Sequence, residues 1–250
     1  MRIRIIETWS WLVVLAGVLA TSVSTQPLAA QDELPGVSLG LVYANTYLPA
    51  LAVQPFVGGF GGDMIASRVE AIVGRDLRNS DQFEVIDSLP DAMVGSQVDY
   101  PLWDRLGAVW LVTGEIEVSG DGYMLTIELH DVVYREVRDR GRFRLPSQDD
   151  DDFRMSVHRT SDEIVRWATG APGMAASRIA FTMVGNDGNK EVYVIDSDGE
   201  DLRQVTDYNS LTESPTWSPD GSRIAIASYK TGVPRIYEVD RFGNELSALP

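Results

Sequence analysis

The chain has 250 residues, 44% of them hydrophobic and 23% charged, a globular composition with room for one or two domains with sizeable cores. Acidic residues outnumber basic ones 37 to 21, giving a formal charge of −16. A surface this negative repels phosphate, and we read no stripe of Lys or Arg along the chain, so no nucleic-acid partner is expected, anionic lipid headgroups are poor candidates, and basic protein segments or metal cations are favoured. Cysteine is absent, which removes disulfides, thiolate metal sites, a Cys nucleophile and a lipobox cysteine.

Arg2 and Arg4 precede an apolar run from Trp11 to Ala20, which gives way to small and polar residues through Ala29 and Ala30. A bilayer span needs about 20 apolar residues, and this run is much shorter. The pattern predicts a cleavable secretory signal over residues 1–30, cut after Ala30, with Ser22 as second choice. A short membrane anchor is the other reading, and Glu7 counts against it. The mature chain is expected to be exported, with no membrane insertion of its own.

Residues 31–173 alternate between strand and helix signals and predict one α/β domain. Leu39–Tyr43 and Leu51–Phe56 suit strands, and Asp63 is expected to cap a helix whose apolar face is Ile65, Val69, Ile72, Val73 and Leu77. Phe83–Ile86 reads as a strand, Leu102–Leu106 as a short helix ending at Gly107, and Ala108–Thr113 as a buried strand. Tyr123, Leu125, Ile127 and Leu129 alternate with Met124, Thr126, Glu128 and His130, a strand with one buried face, and Val137–Leu145 is expected to pair with it. A last helix over residues 151–169 buries Phe153, Val157, Ile164, Trp167 and Ala168 and stops at Gly170.

From Ser177 the character changes. Ser177-Arg178-Ile179-Ala180-Phe181 recurs 45 residues later as Ser222-Arg223-Ile224-Ala225-Ile226, and Val192-Tyr193-Val194-Ile195-Asp196 returns as Ile236-Tyr237-Glu238-Val239-Asp240. Between the copies lies Trp217-Ser218-Pro219-Asp220-Gly221. A strand-rich repeat of this period is the mark of a β-propeller blade. Residues 177–250 then hold the start of a propeller, blade one at about 177–221 and blade two incomplete. Blades need neighbours on both sides, so the chain is expected to be a fragment of a longer protein.

Trp217-Ser218-Pro219-Asp220-Gly221-Ser222 behind an exported α/β domain resembles the TolB family, the periplasmic component of the Tol–Pal envelope system. Gly74-Arg75-Asp76-Leu77-Arg78-Asn79-Ser80, Leu106-Gly107-Ala108, Val112-Thr113-Gly114 and Ser161-Asp162-Glu163-Ile164 are similar as well. The resemblance spans residues 50–250 and implies a non-catalytic scaffold. It implies a six-bladed propeller that binds a Pal-like lipoprotein and an N-terminal segment that contacts a TolA-like protein. It also implies roles in outer-membrane integrity, constriction at division and import of proteins such as colicins. In the segment 31–45, Asp32 and Glu33 are the only charged residues, and Val37, Leu39 and Leu41 alternate as a strand added to a partner's sheet would require. The other reading makes Val37–Tyr43 the first strand of the domain's own sheet.

The alternative from another class is the N-terminal part of an exported propeller-containing serine peptidase with its catalytic domain missing. Gly36-Val37-Ser38-Leu39-Gly40 fits G-x-S-x-G, but no strand precedes Ser38, as a nucleophile elbow demands. Gly58-Gly59-Phe60-Gly61-Gly62 lacks dinucleotide and Walker spacing and reads as a mobile strand-to-helix connection. Asp149–Asp152 suits a helix start better than a cation, and Asp196-Ser197-Asp198-Gly199 suits a hairpin turn better than a calcium loop. His130 and His158 lack a second histidine at ligand spacing and take structural roles. No catalytic residue, metal or cofactor is expected.

Overall fold

The computed structural model describes residues 47–59, 62–86, 97–185 and 187–249. The signal segment, Ala30, the strand expected at Leu39–Tyr43, and Asp32, Glu33, Val37, Leu39 and Leu41 lie outside the described residues.

The first layer contains β1 (Ala50–Val53), β2 (Val57–Gly58), α1 (Asp63–Asn79), β3 (Glu84–Ile86), α2 (Tyr100–Arg105), β4 (Trp110–Ser119), β5 (Gly122–Asp131), β6 (Glu136–Leu145) and α3 (Phe153–Thr169). Its sheet runs β3-β1-β4-β5-β6, with β2 also paired to β4. β1 is parallel to β3 and β4, and β4, β5 and β6 form an antiparallel meander. Strand alternation sorts the side chains between two cores. Leu51, Val53, Val112, Leu125, Ile127 and Leu129 face α1 and α3, where Val69, Val73, Leu77, Val157 and Ile164 close over them. Ala52 and Leu111 point the other way, where they pack with Trp103 of α2, Ala108 and Val132.

Gly62, rather than Asp63, occupies the cap position of α1. The glycine-rich connection is held at both ends. Gly59 N–H donates to the Ile116 carbonyl at 2.7 Å, and Gly62 N–H donates to the Gly59 carbonyl at 2.9 Å. A methyl group on Gly62 would lie 2.0 Å from the Ile116 carbonyl oxygen, so only glycine permits this approach of α1 to β4.

On β6, Arg140, Arg142 and Arg144 stand opposite Glu128, Thr126 and Met124, on the face away from α1 and α3. All three are exposed. This is a stripe of basic residues, which corrects the reading that the chain has none. Spacing by two conceals it in a linear scan, and the pleat of a strand assembles it.

The second region folds as two antiparallel sheets. β7 (Arg178–Val184), β8 (Lys190–Asp196) and β9 (Arg203–Gln204) form one, and β10 (Thr212–Trp217), β11 (Arg223–Ser228), β12 (Arg235–Asp240) and β13 (Glu245–Ala248) form the other. The strand grouping differs from the phase of the repeat. β10, within the span 177–221 assigned to the first blade, hydrogen-bonds to β11 and opens the second sheet, which has four strands while the first has three. Sequence periodicity fixes the length of a unit but not where the unit begins. Buried Glu191 sets the crossing between the sheets by accepting from the backbone N–H groups of Tyr208 and Asn209, both at 2.8 Å, and from the Thr206 hydroxyl. Val192, Val194 and Val205 of the first sheet pack against Ile224, Ile226, Tyr237 and Val239 of the second.

The Ser218-Pro219-Asp220-Gly221-Ser222 segment leading into the second copy is a self-contained turn. Asp220 Oδ1 accepts from Ser218 Oγ at 2.6 Å, Ser222 Oγ at 2.8 Å and Ser222 N–H at 3.1 Å, while Gly221 takes φ of +68°. Ser218 Oγ in turn accepts from Arg223 N–H at 3.0 Å, which starts β11 in register. Hydrogen bonds from Ser218 and Ser222 hold the Asp220 carboxyl down to about 2, against an ordinary 3.8.

Two outcomes follow from these contacts. Gly62→Ala is expected to destabilise the chain by about 1–3 kcal/mol in urea unfolding, through overpacking against a backbone that cannot yield, and an unchanged midpoint would refute the close approach. Because the Asp220 carboxyl is depressed in the fold, its contribution is present above about pH 4 and lost as the pH falls toward 2. The stability difference between the natural chain and Asp220→Asn should therefore shrink between pH 5 and pH 2, and a constant difference would contradict the turn's hydrogen bonding.

Candidate functional site: a buried charged junction

α3 has to serve two neighbours. Phe153, Val157 and Ile164 face the sheet core, while Arg154, His158, Ser161 and Asp162, spaced by one turn, form a polar stripe. That stripe meets Asp76 of α1 on one side and the turn after β8 on the other.

Asp76 and His158 are the centre of the junction, and both side chains are almost wholly buried. Asp76 Oδ2 accepts from Ser161 Oγ at 2.6 Å and from His158 Nδ1 at 2.8 Å. A carboxylate only accepts, so the imidazole carries its proton on Nδ1. His158 Nε2 then faces Asp196 Oδ2 across 3.9 Å, too long for a hydrogen bond.

The turn Asp196-Ser197-Asp198-Gly199 is the hairpin expected from its sequence. Gly199 N–H donates to the Asp196 carbonyl at 2.9 Å, with φ of +84° at the glycine. Its carboxylates, however, turn inward. Arg154 of α3 binds Asp198 through its guanidinium, with Nε 3.6 Å from Asp196 Oδ2. Arg178 Nε donates to Asp196 Oδ1 at 3.1 Å, and Arg75 of α1 reaches Asp198 at 3.4 Å and Glu200 at 3.0 Å. Further out, Asp151 pairs with Arg203 at 3.0 Å, and Asp152 pairs with Arg241, in the turn between β12 and β13, at 2.9 Å. The acidic run at 149–152 does lead into α3, and two of its members also tie the helix start to both antiparallel sheets.

The carboxyls divide by environment. Burial pushes Asp196 up despite Arg178 beside it. Burial also pushes Asp162 up, against the N–H groups of Ala176 and Ala175 that it accepts at 3.0 and 2.7 Å. Burial opposes ionisation of Asp198 too, but the Glu200 N–H and Arg154 outweigh it and the carboxyl is lowered. Hydrogen bonds from Arg203 and Arg241 lower Asp151 and Asp152.

These residues do not assemble hydrolytic chemistry. Ser161 and His158 both donate to one oxygen of Asp76, so the hydroxyl is not paired with the imidazole that would act as its base in a triad, and His158 and Ser161 are fully buried. Asp76, His158 and Asp198 also have potential metal-ligand atoms within 4.8 Å of one another. Arg154 and Arg75 already sit on Asp198, and His158 Nδ1 is committed to Asp76, so cationic side chains fill the role a metal would take. The arrangement fastens three elements together. A cavity of about 300 Å³ opens beside it, lined by Asn79, Val165, Pro172 and Met174.

His130, expected on the polar face of its strand, lies there but is buried beneath α2. Its Nδ1 meets Tyr100 Oη at 2.9 Å and its Nε2 meets Thr113 Oγ1 at 3.1 Å, and burial lowers its pKa despite Glu128 nearby. Sequence reading of α3 followed its apolar positions and passed over the stripe at 154, 158, 161 and 162. Four polar residues on one helical face beside an apolar one were the available signal.

Removing the central carboxylate leaves the buried His158 Nδ1 donor without its acceptor and Ser161 with only the Val157 carbonyl at 3.4 Å. Asp76→Ala is therefore expected to cost about 3–5 kcal/mol in urea unfolding, and a loss below about 1 kcal/mol would show that the junction is not structural.

Comparison with known proteins gives this geometry a family. Residues 42–137 match the family model of the TolB amino-terminal domain. The Tol-Pal system protein TolB of Jannaschia sp. (strain CCS1) is 30% identical over 236 residues, covering 87% of this chain and 52% of that protein. The Tol-Pal system protein TolB of Albidiferax ferrireducens is 32% identical over 224 residues, covering 89% of this chain and 50% of that protein. The crystal structure of TolB from Acinetobacter baumannii superposes with a TM-score of 0.67 at 26% identity, over 81% of this chain and 50% of that one. The chain spans about half the length of the curated relatives it matches. From its amino-terminal domain through the repeats behind it, this chain belongs to the TolB family.

Proposed function

We propose that this chain is part of a non-catalytic periplasmic scaffold of a Tol–Pal-type system. The observation that carries the reading is 30% identity to a Tol-Pal system protein TolB over 87% of the chain. The charged junction supports it from the chemical side, because its only serine–histidine–aspartate grouping lacks the order that a nucleophile needs. Among the described residues no helix is long and apolar enough to cross a membrane. The serine-peptidase alternative draws nothing from the relatives, which are named as Tol-Pal system proteins.

In this reading residues 1–30 are a signal removed after Ala30, residues 31–173 form the amino-terminal domain, and residues 177–250 begin a six-bladed propeller. The two antiparallel sheets are its first blades. The propeller binds a Pal-like lipoprotein, and the segment holding Asp32, Glu33, Val37, Leu39 and Leu41 adds as a strand to a TolA-like partner. Exchange between the two complexes, through coupled binding free energies, maintains outer-membrane integrity, drives constriction at division and offers a route for protein import.

The strand-addition element separates from a core role on deletion. In the full-length protein, removing residues 31–42 should abolish binding to a TolA-like partner in a pull-down while leaving the thermal melt nearly unchanged. A collapsed melt would make the segment part of the core, and retained binding would place the partner elsewhere.

A further inference from the structure

β6 is the edge of the six-stranded sheet, and among the described residues only β5 pairs with it. Its other side presents backbone N–H and C=O groups in the arrangement that accepts another strand. The pairing with β5 is regular from Asp139 to Leu145, and the register shifts only below that stretch. Two faces flank this edge. On one, Arg140, Arg142 and Arg144 stand about 7 Å apart, the spacing of alternate residues in any extended strand laid beside them. Arg140 pairs with Glu128 and Arg144 with the exposed Asp121, but Arg142 makes no ion pair among the described residues. On the other face, Phe143 packs against Trp167 of α3 with ring centroids 6.0 Å apart, and both rings are half-buried. They form an apolar ledge at the rim of the core.

We propose that this edge is a docking site for an extended acidic protein segment, which adds to the sheet beyond β6. The segment's backbone would pair with β6, its acidic side chains would meet the arginine row, and the intervening apolar side chains would rest on Phe143 and Trp167. Charge complementarity selects this occupant. A second copy pairing antiparallel through β6 would place two arginine rows side by side, which like-charge repulsion disfavours. A phosphate surface meets only the arginines, and it would bring its charge up to a chain whose formal charge is −16 without gaining the backbone pairing. The attraction acts within about 8–10 Å, a Debye length, so it is local and does not require the whole molecule to be basic.

The test uses the whole chain and an acetylated, amidated octapeptide of alternating glutamate and valine, with binding read by calorimetry and by amide exchange. The expected result is saturable binding that weakens with salt and slows exchange across residues 136–145. Arg142→Glu should weaken it at least about ten-fold with the thermal melt unchanged, because the side chain is exposed and outside the core. Methylating alternate backbone nitrogens of the peptide on the pairing edge should abolish it, and alternating lysine and valine should not bind. If the arginines only guard the edge against aggregation, no binding occurs at millimolar peptide and the proposal fails. It fails equally if Arg142→Glu or backbone methylation has no effect, or if vesicles of anionic phospholipid bind through Arg142 while the peptide does not.

Discussion

The arrangement of the described layers depends on α3 being buried on two sides. Its apolar face closes the sheet core, and its polar stripe brings Arg154, His158, Ser161 and Asp162 against α1, the turn after β8 and the link into β7. Charges this deep are costly to bury alone, and they are tolerated because each is met by a fixed opposite charge or donor. The Asp76 carboxylate collects His158 and Ser161, while Asp196 and Asp198 collect Arg178, Arg154 and Arg75. No member can leave without stranding another. The β8 turn is thereby fixed relative to α1 and α3, and the strands on either side of it inherit that position.

The same economy separates structure from function. Each buried titratable group in the junction has at least one partner that holds elements together, although His158 Nε2 itself accepts no hydrogen bond. Besides the junction, the described residues offer two open features, a sheet edge on β6 and a cavity of about 300 Å³.

Much of the architecture is legible in the sequence because it rests on local periodicity. The spacing of Ile65, Val69, Ile72, Val73 and Leu77 marks α1, and the alternation from Tyr123 to Leu129 marks β5. The repeat at Ser177 and Ser222 exposes the unit length, and Asp220 with its two serines explains why the Ser218–Ser222 segment forms a turn ahead of the second copy. Its phase stays hidden, because β10 chooses β11 over the first sheet through long-range pairing. The junction is hidden for a related reason. Asp76, the pair Arg154 and His158, and the pair Asp196 and Asp198 come from three separate stretches of the chain, and the fold alone unites them. The arginines of β6 alternate with other residues in sequence and become a row only once their strand is known. The residues singled out for partner contact, Asp32 to Leu41, lie outside the described residues and rest on sequence pattern alone.

The most direct test of the central claim is a double-mutant cycle between α3 and the β8 turn, using Arg154→Met and Asp198→Asn and reading stability by urea unfolding. If the junction fixes these elements to one another, the two substitutions should be non-additive, with a coupling energy of about 1–3 kcal/mol. Additivity within about 0.5 kcal/mol would mean that the pair holds nothing in place, and the account of the junction would be wrong.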